Sequence, residues 1–429
     1  NLNDNILISY VTECSGNGIY NFNKRNDFLF FMKRLKSLNK ITNEILSKMR
    51  YGIKQKVLLP KRTVNRMIEN ITYIFKNKSY DNNLKYKPKE WNEYVEKYLI
   101  KNLEKLQQFL IKEYYPSIVT EHIGLCSYKG GKDAYKNMIK YYTFEGITPE
   151  IIFNLGISEL KRLTKEKKRL QKSLKISDID KEVKKYVFSD KKDVFNYLEN
   201  ILEKLYNNIY PKYFNVKAIN KYHINPIPPE NKRIFAYYVP SDLDNKKKGT
   251  FYINVNNPNN INKYELFVLS LHEGIPGHHL QLTLQNKSDK PYYLKLGDTT
   301  YAEGWALYCE NLGDFKDSYE YYYKLEYEIL RSVRLVLDTG IHYFNWDYQK
   351  CFNFYKKYLK NHSDEQVDKA ILRYMNDPGQ AITYKIGEKV FLYIRNKLLD
   401  VGYSIKDVHD IILELGPCPI EILLNIFDK

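Results

Sequence analysis

The stretch FVLSLHEGIPGHHLQ, residues 267–281, decides which fold the rest of the chain is expected to form. It places three of the chain's eight histidines within eight positions and sets a glutamate beside the first of them. An apolar helix is expected to run up to His272 and Glu273, and the dipeptide Pro276–Gly277 must then interrupt it. The interruption either assembles a metal site or makes a turn that carries imidazoles at the surface.

The spacing of the histidines departs from the familiar HExxH motif, in which two histidines one helical turn apart bind Zn²⁺ and the glutamate is the general base. Pro276 occupies the position of the second histidine. In an unbroken helix His278 would lie about 120° around the axis from His272, while His279 would return to within about 20° but about 10 Å further along. Pro276 cannot donate to the carbonyl of His272, so the helix must kink or bulge, and two absorbed residues would bring His278 into place. The geometry therefore favours His278 over His279 as a ligand, and the choice between them stays open.

A second helical stretch, TTYAEGWALYCENLG, supplies two carboxylates further along the chain. Glu303 and Glu310 lie about two turns apart on one face of this helix. Many zinc peptidases complete three protein ligands with such a carboxylate and leave the fourth position to water. We therefore expect His272, His278 and Glu303 to bind the metal, with Glu310 orienting a histidine through a hydrogen bond. The competing interpretation is a Gly-Pro-Gly turn with surface histidines and ordinary surface glutamates.

Most other segments show the three- and four-residue apolar spacing that is typical of helices. The exception is residues 224–260, where two β-rich runs at 233–239 and 250–255 flank the turn-forming stretch 241–249. This pattern predicts a hairpin or small sheet just before the helix with the first histidine. The expected fold class is mainly α, a large helical metallopeptidase-like fold with a small β-hairpin or sheet beside the active-site helix.

The chain of 429 residues is long enough to bury a large core. We expect a helical N-terminal region, residues 1–223, that forms one wall of the cleft. Residues 224–429 are then the catalytic region, with the small sheet and the metal-binding helices. The two regions are expected to be lobes of one continuous domain.

The chain carries a net charge of +17, and much of it lies between Lys161 and Lys192. Acidic residues and regularly spaced leucines and isoleucines are interspersed there, which is typical of the solvated face of helices. Nucleic-acid binding would require basic residues concentrated on one face of a recognisable module. We therefore expect no specific nucleic-acid partner, and the rival hypothesis of a basic nucleic-acid-binding protein predicts strongly salt-dependent binding to any polynucleotide.

The five cysteines are an odd count, are widely spaced and include no CxxC pair. This usage favours structural thiols in a reducing compartment, and so a cytoplasmic location. The sequence begins at Asn1 without an initiator Met, so a removed signal peptide leaves secretion as an alternative. No apolar run has the length needed to cross a bilayer, and we expect no membrane span. The sequence leaves the oligomeric state open.

The chain resembles the DUF885 family in the spaced motifs FYINVNNP, LHEGIPGHHLQ, YAEGWALYCENLG, ILRSVRLVLDTGIH and DPGQAITYKIGE. The resemblance covers approximately residues 115–429 and implies a helical zinc metallopeptidase. By motif shape the family is similar to helical carboxypeptidases and oligopeptidases that carry an HExGH variant and a downstream glutamate. Carried over to this chain, the resemblance implies one zinc ion per chain held by His272, His278 and Glu303, with Glu273 as the general base.

Further candidates are placed by residue type and spacing. Arg331, Arg334, Asp338 and His342 form one polar stripe on a helix, and this stripe either faces solvent or lines the cleft. An arginine can bind a substrate carboxylate through two parallel hydrogen bonds. We therefore assign Arg331 and Arg334 to substrate binding.

Two more positions are assigned to substrate binding: Asn254 in FYINVNNP and Gln380 in DPGQAITYKIGE. Tyr384 lies one turn after Gln380, and Tyr384 and His342 are the candidates that would donate to the oxyanion. The strand TFYINV, residues 250–255, would hold an extended substrate by backbone pairing.

The expected function is zinc-dependent hydrolysis of peptide or related amide bonds, with a peptide as the partner. Glu273 would take a proton from water and hand it to the leaving amine. The alternative is a metal-binding or catalytically inactive helical binding protein that retains the fold. Because a purely structural zinc site needs no base, Glu273 favours the enzyme.

Overall fold

The protein is mainly α-helical with one small sheet, as the sequence predicts. The computed structural model describes residues 5–16, 20, 22–80, 84, 87–215, 219–227, 235–241, 248–291, 295 and 297–428. In chain order the α-helices are α1 (Asn5–Cys14), α2 (Arg25–Gln55), α3 (Lys61–Asn77), α4 (Trp91–Tyr94), α5 (Lys101–Phe109), α6 (Gly131–Tyr142), α7 (Pro149–Ser173), α8 (Ile179–Glu182), α9 (Lys191–Lys204), α10 (Tyr210–Tyr213), α11 (Lys263–Glu273), α12 (His278–Lys287), α13 (Thr299–Cys309), α14 (Ser318–His342), α15 (Tyr348–Tyr358), α16 (Asp364–Asn376), α17 (Thr383–Asp400), α18 (Ile405–Leu415) and α19 (Ile420–Phe427).

Shorter helical turns extend or connect several of these helices. π-Helical segments continue α4, α5 and α9 at Val95–Ile100, Leu110–Tyr114 and Leu205–Ile209. Turns of 3₁₀-helix lie at Tyr115–Ser117, Leu125–Ser127, Val183–Lys185, Pro258–Asn260 and Glu310–Leu312.

The chain divides into two compact units, Asn1–Ile123 and Gly124–Lys429. The boundary expected at residue 223 therefore lies inside the second unit. The physical reason is packing, since α7 lies along α14 and α9 lies against α11. Helices on the N-terminal side of residue 223 thus share a core with the helices that carry the motifs.

The first unit is built from amphipathic helices that bury their apolar faces against one another. Phe28, Phe31 and Leu35 on α2 are almost completely buried, as are Trp91 and Leu99. The rings of Phe28 and Trp91 meet edge to face with centroids 5.1 Å apart, which is a favoured aromatic geometry.

The second unit is organised around the long helix α14, which packs against α7, α11, α15, α16 and α17. The start of α7 has a local cause in its sequence. Thr148 caps this helix by accepting the N–H of Ile151, and Pro149 takes the first helical position.

The small sheet contains β1 (His223–Pro226), β2 (Ala236–Val239) and β3 (Thr250–Ile253) in the order β1-β3-β2. β2 and β3 are antiparallel and form the hairpin that the sequence predicts, while β1 adds a parallel strand that it did not. Phe251 and Ile253 are buried in the same core as the apolar residues of α11. The sheet therefore lies beside the helix with the first histidine. Residues 233–234 of the first predicted run and 242–247 of the predicted turn lie outside the described residues.

One expectation for β3 is wrong. Its backbone pairs with β1 on one side and with β2 on the other, over all four residues Thr250–Ile253. A strand with two neighbours has no free ladder of N–H and C=O groups. The central position of β3 therefore excludes the expected pairing of this strand with an extended substrate.

All five cysteines fall within the described residues, and none forms a disulfide. In the described part of the chain, no helix combines the length and the apolar character required to cross a membrane.

Candidate active site

The helix with the first histidine ends and a second helix begins within the motif. α11 ends at Glu273 and α12 begins at His278, so Gly-Ile-Pro-Gly is a turn between two helices. A Cβ atom on Gly277 would lie 2.0 Å from the carbonyl oxygen of His272, and only glycine permits so close a return of the chain. The turn sets the imidazoles of His272 and His278 nearly perpendicular, with centroids 4.9 Å apart. The interruption that Pro276 predicts is thus a complete break of the helix.

Glu303 is brought to the turn by close packing of α13. A Cβ atom on Gly304 would lie 2.5 Å from the Cα of Gly387, so α13 and α17 touch through their backbones at this point. The indole N–H of Trp305 donates to the carbonyl of Pro276 at 2.9 Å and ties α13 to the turn. Gly304, the small residue next to Glu303, therefore determines how closely α13 and Glu303 approach α17 and the turn.

The side chains of His272, His278 and Glu303 converge, with one ligand atom of each lying within 4.8 Å of the other two. Oε2 of Glu303 is 3.6 Å from Nε2 of His272 and 3.4 Å from Nε2 of His278. Both separations are longer than an ordinary N–H···O hydrogen bond. They are close to the distance of about 3.3 Å between two ligands of a tetrahedral ion with bonds of about 2.0–2.1 Å. Two imidazoles, one carboxylate and this spacing fit a zinc ion.

Negative charge surrounds the two imidazoles. Burial lowers the pKa of His272, but contacts with Glu303 and Glu310 outweigh it and raise this pKa to about 9. Burial by itself would raise the pKa of Glu303, yet His272 and His278 hold that pKa well below its usual range. The carboxylates thus create a negative potential that favours a cation at this point.

Glu310 holds the ring of His272 from the side opposite the cluster. Its Oε1 atom lies 2.8 Å from Nδ1 of His272 and 3.1 Å from Nη2 of Arg331. In a neutral imidazole this contact keeps the proton on Nδ1 and leaves the lone pair of Nε2 directed at the cluster. Arg331 also donates to the carbonyl of Tyr327 at 3.4 Å. These contacts favour a positioning role for Arg331, and the expected contact with substrate stays a prediction.

Glu273, the expected general base, is the last residue of α11 and is partly buried. Its negative charge contributes to the raised pKa of His272, after the larger effects of burial, Glu303 and Glu310. The carboxylate of Glu273 therefore lies near the imidazole of His272, its neighbour in the sequence.

His279 points away from the cluster. Its Nε2 atom lies 2.9 Å from the carbonyl oxygen of Asn220 and 2.9 Å from the hydroxyl of Tyr206. Its Nδ1 atom lies 2.7 Å from the hydroxyl of Tyr238 on β2. Burial lowers its pKa to about 4, so the ring is neutral. The structure thus brings His278 to the cluster and uses His279 to join α12 to the sheet.

Tyr384 reaches the cluster from α17. Its hydroxyl donates to Oε1 of Glu303 at 2.8 Å, and its ring is stacked with that of His272 at 6.5 Å. Nη2 of Arg373 donates to the same hydroxyl at 3.0 Å and to Oε1 of Gln380 at 2.9 Å. Tyr384 and Gln380 are therefore brought together as their spacing suggests. Residue spacing gives no signal for Arg373, because a Pro-Gly turn separates α16 from Tyr384, eleven residues further on.

His342 does not join the cluster. The N–H of Leu125 donates to Nδ1 at 3.2 Å, so Nε2 carries the proton and donates to the carbonyl of Tyr374 at 2.8 Å. Burial lowers the pKa of His342 to about 4. Because backbone groups engage both ring nitrogens, this imidazole has no proton to offer an oxyanion. We withdraw His342 from the catalytic candidates.

The remaining assigned residues, Asn254 and Arg334, lie on different elements. Asn254 directly follows β3, where its N–H donates to the carbonyl of Phe235 at 2.8 Å and its side chain accepts from the N–H of Asn256. The guanidinium carbon of Arg334 lies 4.4 Å from the centroid of the Tyr384 ring. The substrate-binding roles of Asn254 and Arg334 stay predictions.

The family described as "Bacterial protein of unknown function (DUF885)" matches residues 18–425. This match begins well before residue 115, where the resemblance in the sequence motifs begins. Two solved structures are similar to this chain. One is described as a "putative lipoprotein" from Colwellia psychrerythraea, with a TM-score of 0.85 and 20% identity over 95% of this chain and 77% of that one. The other, a "putative lipoprotein of unknown function" from Shewanella oneidensis, has a TM-score of 0.69 and 14% identity over 98% and 81%. At such identities these similarities show the fold alone. No curated protein matches this chain.

Proposed function

We propose that this chain, which belongs to the DUF885 family of bacterial proteins, hydrolyses peptide or related amide bonds with one bound zinc ion. The observation that supports the proposal is the convergence of two imidazole nitrogens on one carboxylate oxygen, which lies 3.6 Å from the first and 3.4 Å from the second. His272, His278 and Glu303 would hold the metal. Zinc supplies Lewis-acid activation of water and of the scissile carbonyl.

Side chains of the protein would transfer the proton of the water and position the metal ligands. Glu273 would accept a proton from the attacking water and deliver it to the leaving amine. Glu310 would keep Nε2 of His272 directed at the metal, and Arg331 would keep Glu310 in place.

Tyr384 is the candidate donor for the developing oxyanion. Its hydroxyl lies 2.8 Å from Oε1 of Glu303, next to the metal position, and accepts a hydrogen bond from Arg373. In this arrangement Arg373 fixes the hydroxyl oxygen while the O–H can turn from Glu303 to the substrate. With His342 withdrawn, Tyr384 is our sole proposal for this role.

The test combines metal analysis with a digest of a peptide library read by mass spectrometry. We expect one zinc per chain in the purified protein and none after His272→Ala. Glu273→Gln should retain zinc and lose about 10²–10⁴-fold in turnover, because an amide cannot accept the proton. Glu199→Gln, an exposed acid on α9, is the matched control and should behave like the wild type.

Three results would contradict the proposal in different ways. Full zinc occupancy after His272→Ala would remove the metal site. Bound zinc with unchanged turnover in Glu273→Gln would remove the base from the mechanism. Bound zinc with no hydrolysis of any library peptide by the wild type would favour the alternative, a metal-binding helical protein that retains the fold without catalysis.

A reducing, cytoplasmic location remains a proposal that the cysteine usage favours. The two similar structures are described as putative lipoproteins, which suggests a lipid-anchored protein as the alternative. Fractionation of cells that express the native gene distinguishes a soluble fraction from a membrane-associated one.

A further inference from the structure

Arg334 on α14 is a cation that lacks a counter-ion in the described part of the chain. Burial lowers its pKa, and the neighbouring Tyr374, Tyr384 and Tyr355 outweigh burial and raise it. Its Nε and Nη1 atoms are buried and have no hydrogen-bond partner, while the side chain as a whole is partly exposed. The guanidinium thus lies among tyrosine rings, with its carbon 4.4 Å from the centre of one of them.

An unpaired guanidinium that has been taken out of water is unfavourable unless an anion compensates it. Other buried cations of this protein follow that rule. Lys385, which is 1% exposed, contacts Glu388 at 2.6 Å and Glu328 at 3.3 Å. Arg331, one turn before Arg334, is paired with Glu310 at 3.1 Å. The position of Arg334 therefore calls for an anion from outside the chain.

A second guanidinium borders the same ring. The guanidinium carbon of Arg373 lies 5.9 Å from the centroid of Tyr384, and Arg373 is exposed. Its side chain donates to the neutral groups of Tyr384 and Gln380. Arg334 and Arg373 thus add two positive charges beside Tyr384, whose hydroxyl contacts Glu303 of the cluster.

We propose that Arg334 and Arg373 form a subsite for the C-terminal carboxylate of a peptide substrate, so that the enzyme removes residues from the C-terminus. The inference rests on the proposed function. Two planar guanidinium groups suit a carboxylate because each presents paired N–H donors to its two oxygens.

The spacing between subsite and cluster supports cleavage near the chain end. The Tyr384 ring lies 6.5 Å from the His272 ring and 4.4 Å from the Arg334 carbon, so at most about 11 Å separates the guanidinium carbon from that imidazole. One extended residue spans at most about 3.6 Å. A carboxylate at the subsite therefore places one of the last peptide bonds at the cluster, and the expected products are single residues or dipeptides.

The test compares one neutral hexapeptide as its free acid and as its C-terminal amide, with products identified by mass spectrometry. The wild type should cleave the free acid about 10-fold or more faster at low substrate concentration, and should release one or two residues. Arg334→Gln should raise KM for the free acid by about 10- to 100-fold and leave the amide unchanged. Arg334→Lys should have a smaller effect on KM than Arg334→Gln, because lysine keeps the positive charge but lacks the paired N–H donors of the guanidinium.

Arg395→Gln is the matched control. Arg395 also lies over a tyrosine, with its guanidinium carbon 5.8 Å from the centroid of the Tyr308 ring, but it lies on α17, about three turns after Tyr384. The Arg395→Gln variant should cleave both peptides as the wild type does. Equal effects of Arg334→Gln on the two peptides, or equal internal cleavage of both by the wild type, would overturn the subsite while leaving the hydrolase in place.

A binding measurement separates this inference from the proposed function. Calorimetry with N-acetylphenylalanine and its amide on the zinc-loaded wild type should show binding of the acid alone, with loss of binding in Arg334→Gln. Arg373→Gln serves as a second variant if circular dichroism shows that Arg334→Gln does not fold. Equal binding of acid and amide refutes the subsite, whereas absence of hydrolysis with selective acid binding refutes only the enzyme.

Discussion

His278 and His279 are neighbours in the sequence with opposite surroundings. The turn at Gly277 directs the His278 ring to Glu303, at 3.4 Å. The next residue points the other way, and its ring contacts Tyr206 and Tyr238. Consecutive residues at the start of a helix diverge by about 100°, so only one of the two can face the metal position.

We predict that His278→Ala loses its zinc and that His279→Ala retains it. His279→Ala should instead lose about 1–3 kcal/mol in the free energy of unfolding, because the partners of the buried ring would be left unsatisfied. Elemental analysis and denaturant unfolding of both variants measure the two effects. Full zinc occupancy in His278→Ala would contradict the choice of histidine.

Arg331 and Arg334 are one turn apart on α14 and differ in their partners. Arg331 is held by Glu310, which contacts His272, whereas Arg334 has no carboxylate partner within the described residues. A polar stripe at helical spacing therefore contains one positioning residue and one candidate for anion binding.

We predict that Arg331→Gln weakens zinc binding by about 10–100-fold, the usual effect of removing a group that orients a metal ligand. The affinity is measured by competition with a chromophoric chelator. The KM of the zinc-saturated variant should stay near that of the wild type. A raised KM with unchanged zinc affinity would return Arg331 to substrate binding.

At the scale of elements, the contact between α13 and α17 determines where Glu303 and Tyr384 meet. Gly304 and Gly387 bring the two backbones together, and Tyr384 lies one turn before Gly387. Any larger residue would separate the helices and pull Glu303 from its hydroxyl partner.

We predict that Gly304→Ala lowers the free energy of unfolding by about 1–3 kcal/mol, since its added Cβ would overlap backbone that cannot move aside cheaply. Zinc affinity should fall as well, because Glu303 is the adjacent residue. Ala302→Ser, on the partly exposed side of α13, is the control and should change stability by less than about 0.5 kcal/mol. An unchanged unfolding midpoint in Gly304→Ala would refute the close approach.

At the scale of the molecule, the charge of +17 is partly offset by ion pairs in the Lys-rich stretch, residues 161–192. Within the Lys-rich stretch, Arg162 pairs with Glu166 and Glu328, and Lys167 pairs with Glu326. Leu163 of the same stretch is fully buried. These contacts support the interpretation of the stretch as ordinary helix surface.

We predict that zinc stabilises the whole fold, because the three ligands come from α11, α12 and α13. At a free concentration 100-fold above Kd, a ligand that binds only the native state adds about 2.7 kcal/mol. Thermal denaturation with zinc and with a chelator measures the difference in Tm. The shift should vanish in His278→Ala; a shift of the same size there would mean that zinc stabilises the protein elsewhere.

The sequence by itself determined the helical class, the hairpin before the motif and an interruption of the helix around Pro276. Local features cause all of these: apolar periodicity, β-rich runs and a missing N–H. It also identified the motifs in which His272 and Glu303 lie.

Only the tertiary structure decided which histidine faces Glu303, which arginine is already paired and why His342 is occupied elsewhere. It also placed β1 on the free side of β3 and brought Arg373 to Tyr384. Each of these depends on a contact between residues far apart in the chain. Such contacts follow from how the elements pack, and the spacing of residues within one element does not contain that information.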